Sequence, residues 1–429
     1  MATRTIGVEL LARVEGEGAL NIHIEDGRVS AAQLEIFEPP RFFEALLRGR
    51  GYSEAPDIAA RICGICPIAY QLGAALAMEH ALGVAVPAAL RGLRRLIYCG
   101  EWIESHALHI VMLHAPDFLG YPDAVQMARD HGDAVKAGLA IKRTGNEIMR
   151  TLGGREIHPI NVKVGGFHRI PSERELEPLV EKLEHARQLA VGILEWASEF
   201  RFPEVERDYE FVAMRHPQEY AIDEGRIVSS RGLDISIPQY DAHFEERQVV
   251  HSTALQSAIR GRGSYLVGPL ARYNLNFDRL PDALRALARQ AGLGETCRNP
   301  FKSILVRALE VVYACEEALR LIRAYQVPPA ASIPLSVRAG TGHGCTEAPR
   351  GICHHRYEID ADGIIGGARI APPTSQNQLS IEEDLKEIAA HNLDLADADL
   401  RTLCERAIRN YDPCISCSAH FLKLTVDRN

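Results

Sequence analysis

Two pairs of cysteines are spaced so that each pair could hold one metal ion between its sulfur atoms. Cys63 and Cys66 form the first pair, and Cys414 and Cys417 form the second, close to the other end of the 429-residue chain. Four thiolates suit zinc, an iron–sulfur cluster or a softer catalytic metal. Structural zinc modules usually take both pairs from one short segment, whereas these pairs would close almost the whole chain around one site. The spacing leaves structural zinc, a cluster, a redox dithiol and a catalytic metal open.

Charged and polar residues flank both pairs, although a purely structural metal site does not need them. Arg61 precedes the first pair, and Asp412 and His420 enclose the second. Pro67 directly follows Cys66 and suits the first position of a helix. We therefore expect the first pair at a helix N-terminus, where backbone N–H groups and the helix dipole favour thiolate over thiol.

The remaining cysteines stand singly, and we predict that they are packing residues, because free cysteine is among the most buried residue types. None of them completes a ferredoxin-like pattern, so we expect no iron–sulfur relay in this chain. They are Cys99, Cys297, Cys315, Cys345, Cys353 and Cys404.

Composition bounds the class of protein. Hydrophobic residues make up 46% of the chain and charged residues 24%, as in globular proteins. The net charge of -9 argues against nucleic-acid binding, which usually needs a basic face. The chain has no apolar run of membrane-spanning length and no secretory pattern at its start. We expect a cytoplasmic protein without a membrane span.

The pattern of residues along the chain predicts an α+β fold with a predominantly helical core. Alternating residues on both sides of Asp26 and Gly27 predict an N-terminal β-hairpin. Shorter β-prone runs at 204–276 and 333–370 predict a β-rich middle segment and a later one. No linker divides residues 1–429, so we expect a single domain. Helices are predicted from Pro67 to Gly83 and at 88–115, 122–152, 173–200, 299–325 and 380–410.

Both cysteine pairs and their flanks resemble the two signatures of the nickel–iron hydrogenase large subunit. In that family the signatures read Arg-x-Cys-Gly-x-Cys-Pro and Asp-Pro-Cys-x-x-Cys-x-x-His, and both are complete here, at 61–67 and 412–420. Further landmarks match in order along nearly the whole chain. The resemblance implies a catalytic subunit that cleaves hydrogen reversibly and heterolytically. It also implies a nickel–iron centre with carbon monoxide and cyanide bound to the iron.

The resemblance assigns roles to the four cysteines. It implies that Cys63 and Cys414 are terminal ligands of nickel, and that Cys66 and Cys417 bridge nickel and iron. A terminal thiolate can accept a proton, and a carboxylate within hydrogen-bond reach can carry it outward. The family's proton-relay glutamate corresponds to Glu15, within the segment 13–16. We expect Cys414 and Glu15 to form that pair.

A second group of residues is implied to surround the metals. The segment 347–351 resembles the one whose arginine, here Arg350, overhangs nickel and iron. We expect Asp412 and Asp117 to pair with Arg350 and to orient it. Pro373 and Thr374 fall where the family contacts the cyanide ligands of the iron.

The resemblance also implies a magnesium ion near the C-terminus. Its ligands would be Glu44, in the segment that begins at Arg41, and the side chain of His420. A backbone carbonyl near Gln378 would be the third ligand.

Two departures from the family pattern point to a particular branch. Tyr70 stands where many members have histidine, and Glu17 replaces the histidine of the commoner Glu-Gly-His. With the short chain, they resemble the cytoplasmic, pyridine-nucleotide-linked hydrogenases. The expected partners are an iron–sulfur small subunit and flavin- and NAD(P)-binding diaphorase subunits.

The family resemblance also implies a maturation step. Three other functions are possible for a chain with this pattern. A maturation endopeptidase would cut between His420 and Phe421 and remove the tail 421–429. The alternatives are a hydrogen sensor with the same centre, the homologous quinone-site subunit of respiratory complex I without metal ligands, and a structural zinc protein.

Overall fold

The computed structural model describes residues 3–39 and 42–420, in which helices and small antiparallel sheets alternate. This confirms the α+β prediction and its helical core. The helices are α1 (Phe43–Leu47), α2 (Ala55–Ala59), α3 (Pro67–Leu82), α4 (Ala88–Ala107), α5 (Ala115–Leu119), α6 (Ala124–Met127), α7 (Gly132–Gly153), α8 (Glu173–Ser198), α9 (Tyr240–His243), α10 (Pro269–Asn276), α11 (Asp282–Gln290), α12 (Ser303–Arg323), α13 (Pro373–His391), α14 (Asp397–Arg409) and α15 (Ile415–Ser418). The strands are β1 (Thr3–Val8), β2 (Gly18–Glu25), β3 (Arg28–Ile36), β4 (Val162–Lys163), β5 (Gly166–Phe167), β6 (Val212–Arg215), β7 (Arg226–Ser229), β8 (Asp234–Ile235), β9 (Phe244–Gln248), β10 (Leu255–Ile259), β11 (Gly340–Ala348), β12 (Gly351–Ile359) and β13 (Ile365–Ala371).

The N-terminal sheet has the antiparallel order β1-β2-β3. Its β2–β3 hairpin turns at Asp26 and Gly27, whose φ angles are 48° and 74°. Two successive positive angles fit the tight turns that match the strand twist, and aspartate and glycine tolerate them best. The hairpin prediction is therefore confirmed. One face of β2 is buried through Leu20 and Ile22, which fixes the sheet against the core.

Four long helices form the helical core: α4 packs on α7 and α12, and α8 packs on α7 and α12. Close approach of α4 and α7 depends on glycine, because a Cβ atom at Gly145 would lie 2.6 Å from the carbonyl oxygen of Gly100. Ser172 and Glu175 form a capping box at the start of α8. Within the described residues, no helix is long and apolar enough to cross a membrane.

Three predicted helices are divided in the structure. The helix predicted at 88–115 ends at Ala107, and a π-helix follows at Leu108–His114 before α5, where Pro116 supplies no N–H for continuous pairing. The helix predicted at 122–152 is divided into α6 and α7. The one predicted at 380–410 begins earlier, at Pro373, and breaks at Asn392, whose side chain donates to the carbonyl of Ile388.

The sheet β11-β12-β13 packs closely against α3, the helix that follows the first cysteine pair. Glycines permit this approach. A Cβ atom at Gly342 would lie 1.8 Å from the carbonyl oxygen of Ala77, and one at Gly344 would lie 2.3 Å from that of Gly73. The turn between β11 and β12 carries Arg350, so this contact sets the distance between that arginine and the first cysteine pair.

We predict that Gly342→Ala lowers the free energy of unfolding by about 1–3 kcal/mol, because the added methyl group forces β11 away from the backbone of α3. Gly366→Ala is the matched control in the same sheet, since its Cβ atom would meet only the carbonyl of Glu358, 3.9 Å away. Thermal denaturation of both variants measures the difference. Equal melting temperatures would show that the close contact between α3 and β11 does not contribute to the stability of the fold.

Candidate metal centre

The first cysteine pair lies in the short loop between Ile62 and the start of α3. Pro67 occupies the first helical position, as predicted. The expected backbone N–H donors are present, but they bond to the sulfur of Cys63, which accepts from the N–H groups of Ile65 at 3.3 Å and Cys66 at 3.2 Å. Burial raises the pKa of Cys63, but hydrogen bonds with neighbouring thiols outweigh it and lower the pKa well below its ordinary value.

The second cysteine pair follows α14 on a sharply turned loop. Asp412 has a φ angle of 52°, a left-handed conformation that aspartate tolerates better than most residues. The N–H of Cys414 donates to Thr374 Oγ1 at 3.0 Å, so the start of α13 holds this loop in place. Cys417 lies in the single-turn helix α15.

The two pairs meet in the interior. The sulfur atoms of Cys63 and Cys414 are 3.5 Å apart, those of Cys63 and Cys66 are 3.1 Å apart, and those of Cys414 and Cys417 are 2.8 Å apart. All four lie within 4.8 Å of one another and are buried. A compact group of four soft thiol donors fits nickel and iron by its chemistry. These four residues would hold the metals.

Glu15 lies beside the second pair and is partly exposed to solvent. Its Oε2 atom is 3.0 Å from the sulfur of Cys414 and accepts the N–H of Ser416 at 3.1 Å. The backbone also joins the two segments, because the N–H of Ile415 donates to the carbonyl of Glu15 at 2.9 Å. Gly16 permits the approach, since a Cβ atom there would lie 2.8 Å from the backbone nitrogen of Ser416.

Arg350 is fully buried at the β11–β12 turn. Its guanidinium group donates to the carbonyl of Asp412 at 2.8 Å and to the hydroxyl of Ser105 at 3.1 Å, and it lies 3.0 Å from the Asp412 carboxylate. Burial lowers the pKa of Arg350, but Asp412 and the thiols of the cluster raise it well above its usual range. The group therefore keeps its positive charge beside the four sulfur atoms.

The prediction that Asp117 pairs with Arg350 was wrong. Asp117 pairs with Arg409 at 2.6 Å and with Arg13 at 2.5 Å, and these ion pairs lower its pKa in spite of burial. The carboxylate of Asp412 occupies the place beside Arg350. Asp117 instead joins α5 to α14 and to the segment that carries Glu15.

A pocket next to Cys417 contains two of the residues expected to bind magnesium. His420 Nε2 is 3.0 Å from Glu44 Oε2, and the other oxygen of Glu44 accepts the N–H of Ile370 at 2.8 Å. Glu246 also lines this pocket. Carboxylates and a histidine here fit a divalent cation by their chemistry. Gln378 lies on α13 but does not line the pocket, and its amide donates to the carbonyl of Leu34 at 3.2 Å.

The remaining expected residues lie beside the centre or outside the described part of the chain. Pro373 and Thr374 are buried at the first turn of α13, next to the backbone of Cys414. Arg41 and the tail 421–429 lie outside the described residues.

Sequence reasoning missed three polar residues that position the site. Glu101, fully buried on α4, accepts the N–H groups of Ile68 at 2.6 Å and Ala69 at 3.2 Å and so caps α3. Ser105 binds Arg350 from the same helix. Glu38 accepts the hydroxyl of Ser416 at 3.0 Å. The available signal for the first two was the presence of acidic and polar residues inside an otherwise apolar helical pattern.

Comparison with known proteins gives one consistent answer. Residues 41–137 match the model of the nickel-dependent hydrogenase family. Sulfhydrogenase 2 subunit alpha of Pyrococcus furiosus is 37% identical over 98% of this chain and 100% of its own length. The NAD-reducing hydrogenase HoxS subunit beta of Cupriavidus necator is 26% identical over 98% of this chain and 95% of its own length. A crystal structure of an NAD+-reducing [NiFe]-hydrogenase in the H2-reduced state superposes with a TM-score of 0.90 at 28% identity, covering 98% of this chain and 100% of that one.

The fold and the buried four-thiol group define a metal-dependent oxidoreductase in which two cysteine pairs distant in sequence form one site. The chain belongs to the nickel-dependent hydrogenase family, as a large subunit.

We predict that Cys414→Ser abolishes nickel retention, because a neutral hydroxyl is a poor replacement for a soft thiolate. The same loss is expected for serine at Cys63, Cys66 or Cys417. Cys99→Ser is the control, since Cys99 is buried on α4 and is not one of the four clustered thiols. Elemental analysis of the purified protein measures nickel and iron. Normal nickel content in Cys414→Ser would contradict the site.

Proposed function

We propose that this subunit catalyses the reversible, heterolytic cleavage of hydrogen into protons and electrons. When bound by Cys63, Cys66, Cys414 and Cys417, a nickel–iron group carrying carbon monoxide and cyanide would supply the electron-rich metal at which the reaction occurs. The observation that carries the proposal is the 3.0 Å contact between the sulfur of Cys414 and Glu15 Oε2, beside the buried thiol cluster.

The proton leaves through residues of this chain. Cys414 Sγ accepts it, and Glu15 Oε2 receives it next, because the two atoms are within hydrogen-bonding distance. Glu15 is partly exposed, whereas Cys414 is buried, so this carboxylate connects the interior with the outside. The N–H of Ser416 fixes the carboxylate oxygen that faces the sulfur.

Arg350 holds a permanent positive charge beside the cluster. Asp412 and Ser105 fix the direction of its planar guanidinium group, and lysine could not make the same set of contacts. Pro373 and Thr374 would enclose the cyanide ligands of the iron from the start of α13. Asp117 acts at longer range by holding Arg13, two residues before Glu15.

A magnesium ion would occupy the pocket between Glu44 and His420. The nearby position of Cys417, which lines the same pocket, supports a role in fixing the C-terminal segment.

The electrons would pass to an iron–sulfur small subunit, and beyond it to flavin- and NAD(P)-binding diaphorase subunits, in the cytoplasm. Relatives of this chain are named as alpha or beta subunits, and one of them belongs to an NAD-reducing hydrogenase. The TM-score of 0.90 with an NAD+-reducing [NiFe]-hydrogenase supports the same branch.

Glu15→Gln tests the proton route, since glutamine keeps the shape of the side chain but cannot carry the proton. We expect normal nickel and iron content, and a loss of hydrogen–deuterium exchange of at least about 100-fold. Glu17→Gln is the matched control, because Glu17 is exposed and only two residues away. Near-normal exchange in Glu15→Gln would place the proton exit elsewhere and leave the metal ligands unaffected.

We propose that residues 1–420 form one mature domain and that a maturation endopeptidase removes 421–429 after the metals are inserted. The backbone N–H of His420 donates to the carbonyl of Thr253 at 2.9 Å, so the segment up to this residue is held by the protein. The intact mass of active, nickel-loaded protein should correspond to a chain ending at His420. Full activity with Asn429 still attached would overturn the cleavage.

The alternative functions predict different compositions and rates. A structural zinc protein would contain zinc, whereas we expect nickel and iron near one each, with infrared bands from carbon monoxide and cyanide on the iron. A quinone-site subunit would lack both metals. A hydrogen sensor would contain the same centre and turn over slowly, so the rate of hydrogen oxidation in the complete complex distinguishes it from the enzyme.

A further inference from the structure

A small cavity lies next to Tyr411, the residue before Asp412, and it shares no lining residue with the pocket of Glu44. Its volume is about 20 Å³, enough for one water-sized occupant. Every residue that lines it is buried. The lining is Leu266, Val267, Pro269, Leu270, Pro300, Ser303, Arg307, Asn410 and Tyr411.

Arg307 is the charged group of this cavity, and it is only 1% exposed. Its Nη1 atom donates to the hydroxyl of Ser303 at 3.0 Å and to the carbonyl of Asn410 at 2.9 Å, while its Nε atom has no partner. Among the described residues, no aspartate or glutamate forms an ion pair with it. Burial lowers the pKa of Arg307 to about 10, and Asp412 opposes that shift, so the group stays charged at neutral pH.

Neighbouring buried arginines differ from Arg307. Arg272 pairs with Glu310 at 2.8 Å and with Glu347 at 3.0 Å, and Arg350 pairs with Asp412. The carboxylates nearest to Arg307 therefore already form ion pairs with other arginines. A buried cation without a direct ion pair is costly, because it loses its hydration and gains only the longer-range attraction of Asp412 and Glu310. The cavity beside Arg307 leaves room for a negative charge in direct contact with it.

Two further features favour an anion over a neutral occupant. The side-chain amide of Asn410 is 3% exposed and lacks a hydrogen-bond partner at both of its polar atoms, so its NH₂ group can donate. The helices α10 and α12 both begin at this cavity, through Pro269 and Ser303, and helix N-termini carry partial positive charge.

We propose that this cavity binds one small monovalent inorganic anion, of the size of chloride, between Arg307 and Asn410. A space of about 20 Å³ suits a single-atom anion better than phosphate or a larger organic acid. The anion neutralises Arg307 and accepts a hydrogen bond from the side-chain NH₂ group of Asn410. Because Asn410 lies two residues before Asp412, the bound anion joins α12 to the loop that carries the second cysteine pair. The site is independent of the hydrogenase reaction and needs no metal.

Bromide replaces chloride and scatters anomalously, so crystals of the holoenzyme grown with sodium bromide test occupancy directly. We expect an anomalous peak at hydrogen-bonding distance from Arg307 Nε and from the side-chain amide of Asn410. Density without anomalous signal would identify a water molecule and overturn the proposal.

Thermal denaturation at constant ionic strength separates a specific site from binding at crystal concentration only. We expect the melting temperature to rise by more than about 1 °C when chloride replaces gluconate. Arg307→Met should lose this dependence and the bromide peak. Arg323→Met is the control on the same helix, since Arg323 is exposed and pairs with Glu184, and it should keep both. A melting temperature that is independent of chloride in the unmodified protein would also overturn the proposal.

Discussion

The rest of the structure depends on holding four buried sulfur atoms within one small volume. Cys63 and Cys414 come from opposite ends of the chain, yet their sulfur atoms are 3.5 Å apart. Four thiolates in this position would repel one another and lose their hydration, which is unfavourable without a cation. Metal binding removes that penalty, so binding the metal and completing the fold are linked. The N-terminal segment, α3 and the last loop must all be in place before the site exists.

Buried arginines maintain this arrangement through paired charges. Arg350 with Asp412, Arg409 with Asp117, and Arg272 with Glu310 are each almost inaccessible to solvent. Such pairs add little net stability, because desolvation offsets most of their attraction. Breaking one pair is costly, however, since it leaves a buried charge alone. The pairs therefore favour one relative position of β11, α12 and α14 over the alternatives, and that position places Arg350 over the thiols.

The sequence allowed the donors of the site to be identified but not all the contacts that orient them. The spacing of Cys63 and Cys66, and of their C-terminal counterparts, is a local pattern, and Pro67 fixes a helix start. Capping of α3 by Glu101 depends on how α4 packs, which no local pattern encodes. The predicted pairing of Asp117 with Arg350 was wrong for the same reason, since Asp117 binds two arginines that are distant from it in sequence. The break at Asn392 reflects a side-chain hydrogen bond that outweighs helix periodicity.

The proton route depends on the backbone as much as on the acidic side chain. The bond from the N–H of Ile415 to the carbonyl of Glu15 fixes the two segments side by side, and Gly16 leaves room for that approach. The side chain of Glu15 then needs only to reach Cys414, which directly precedes Ile415 in the chain. A carboxylate on a free loop would lose conformational entropy each time it met the sulfur. Here folding has already restricted its position, and the same backbone contact closes the N-terminal segment over the second cysteine pair.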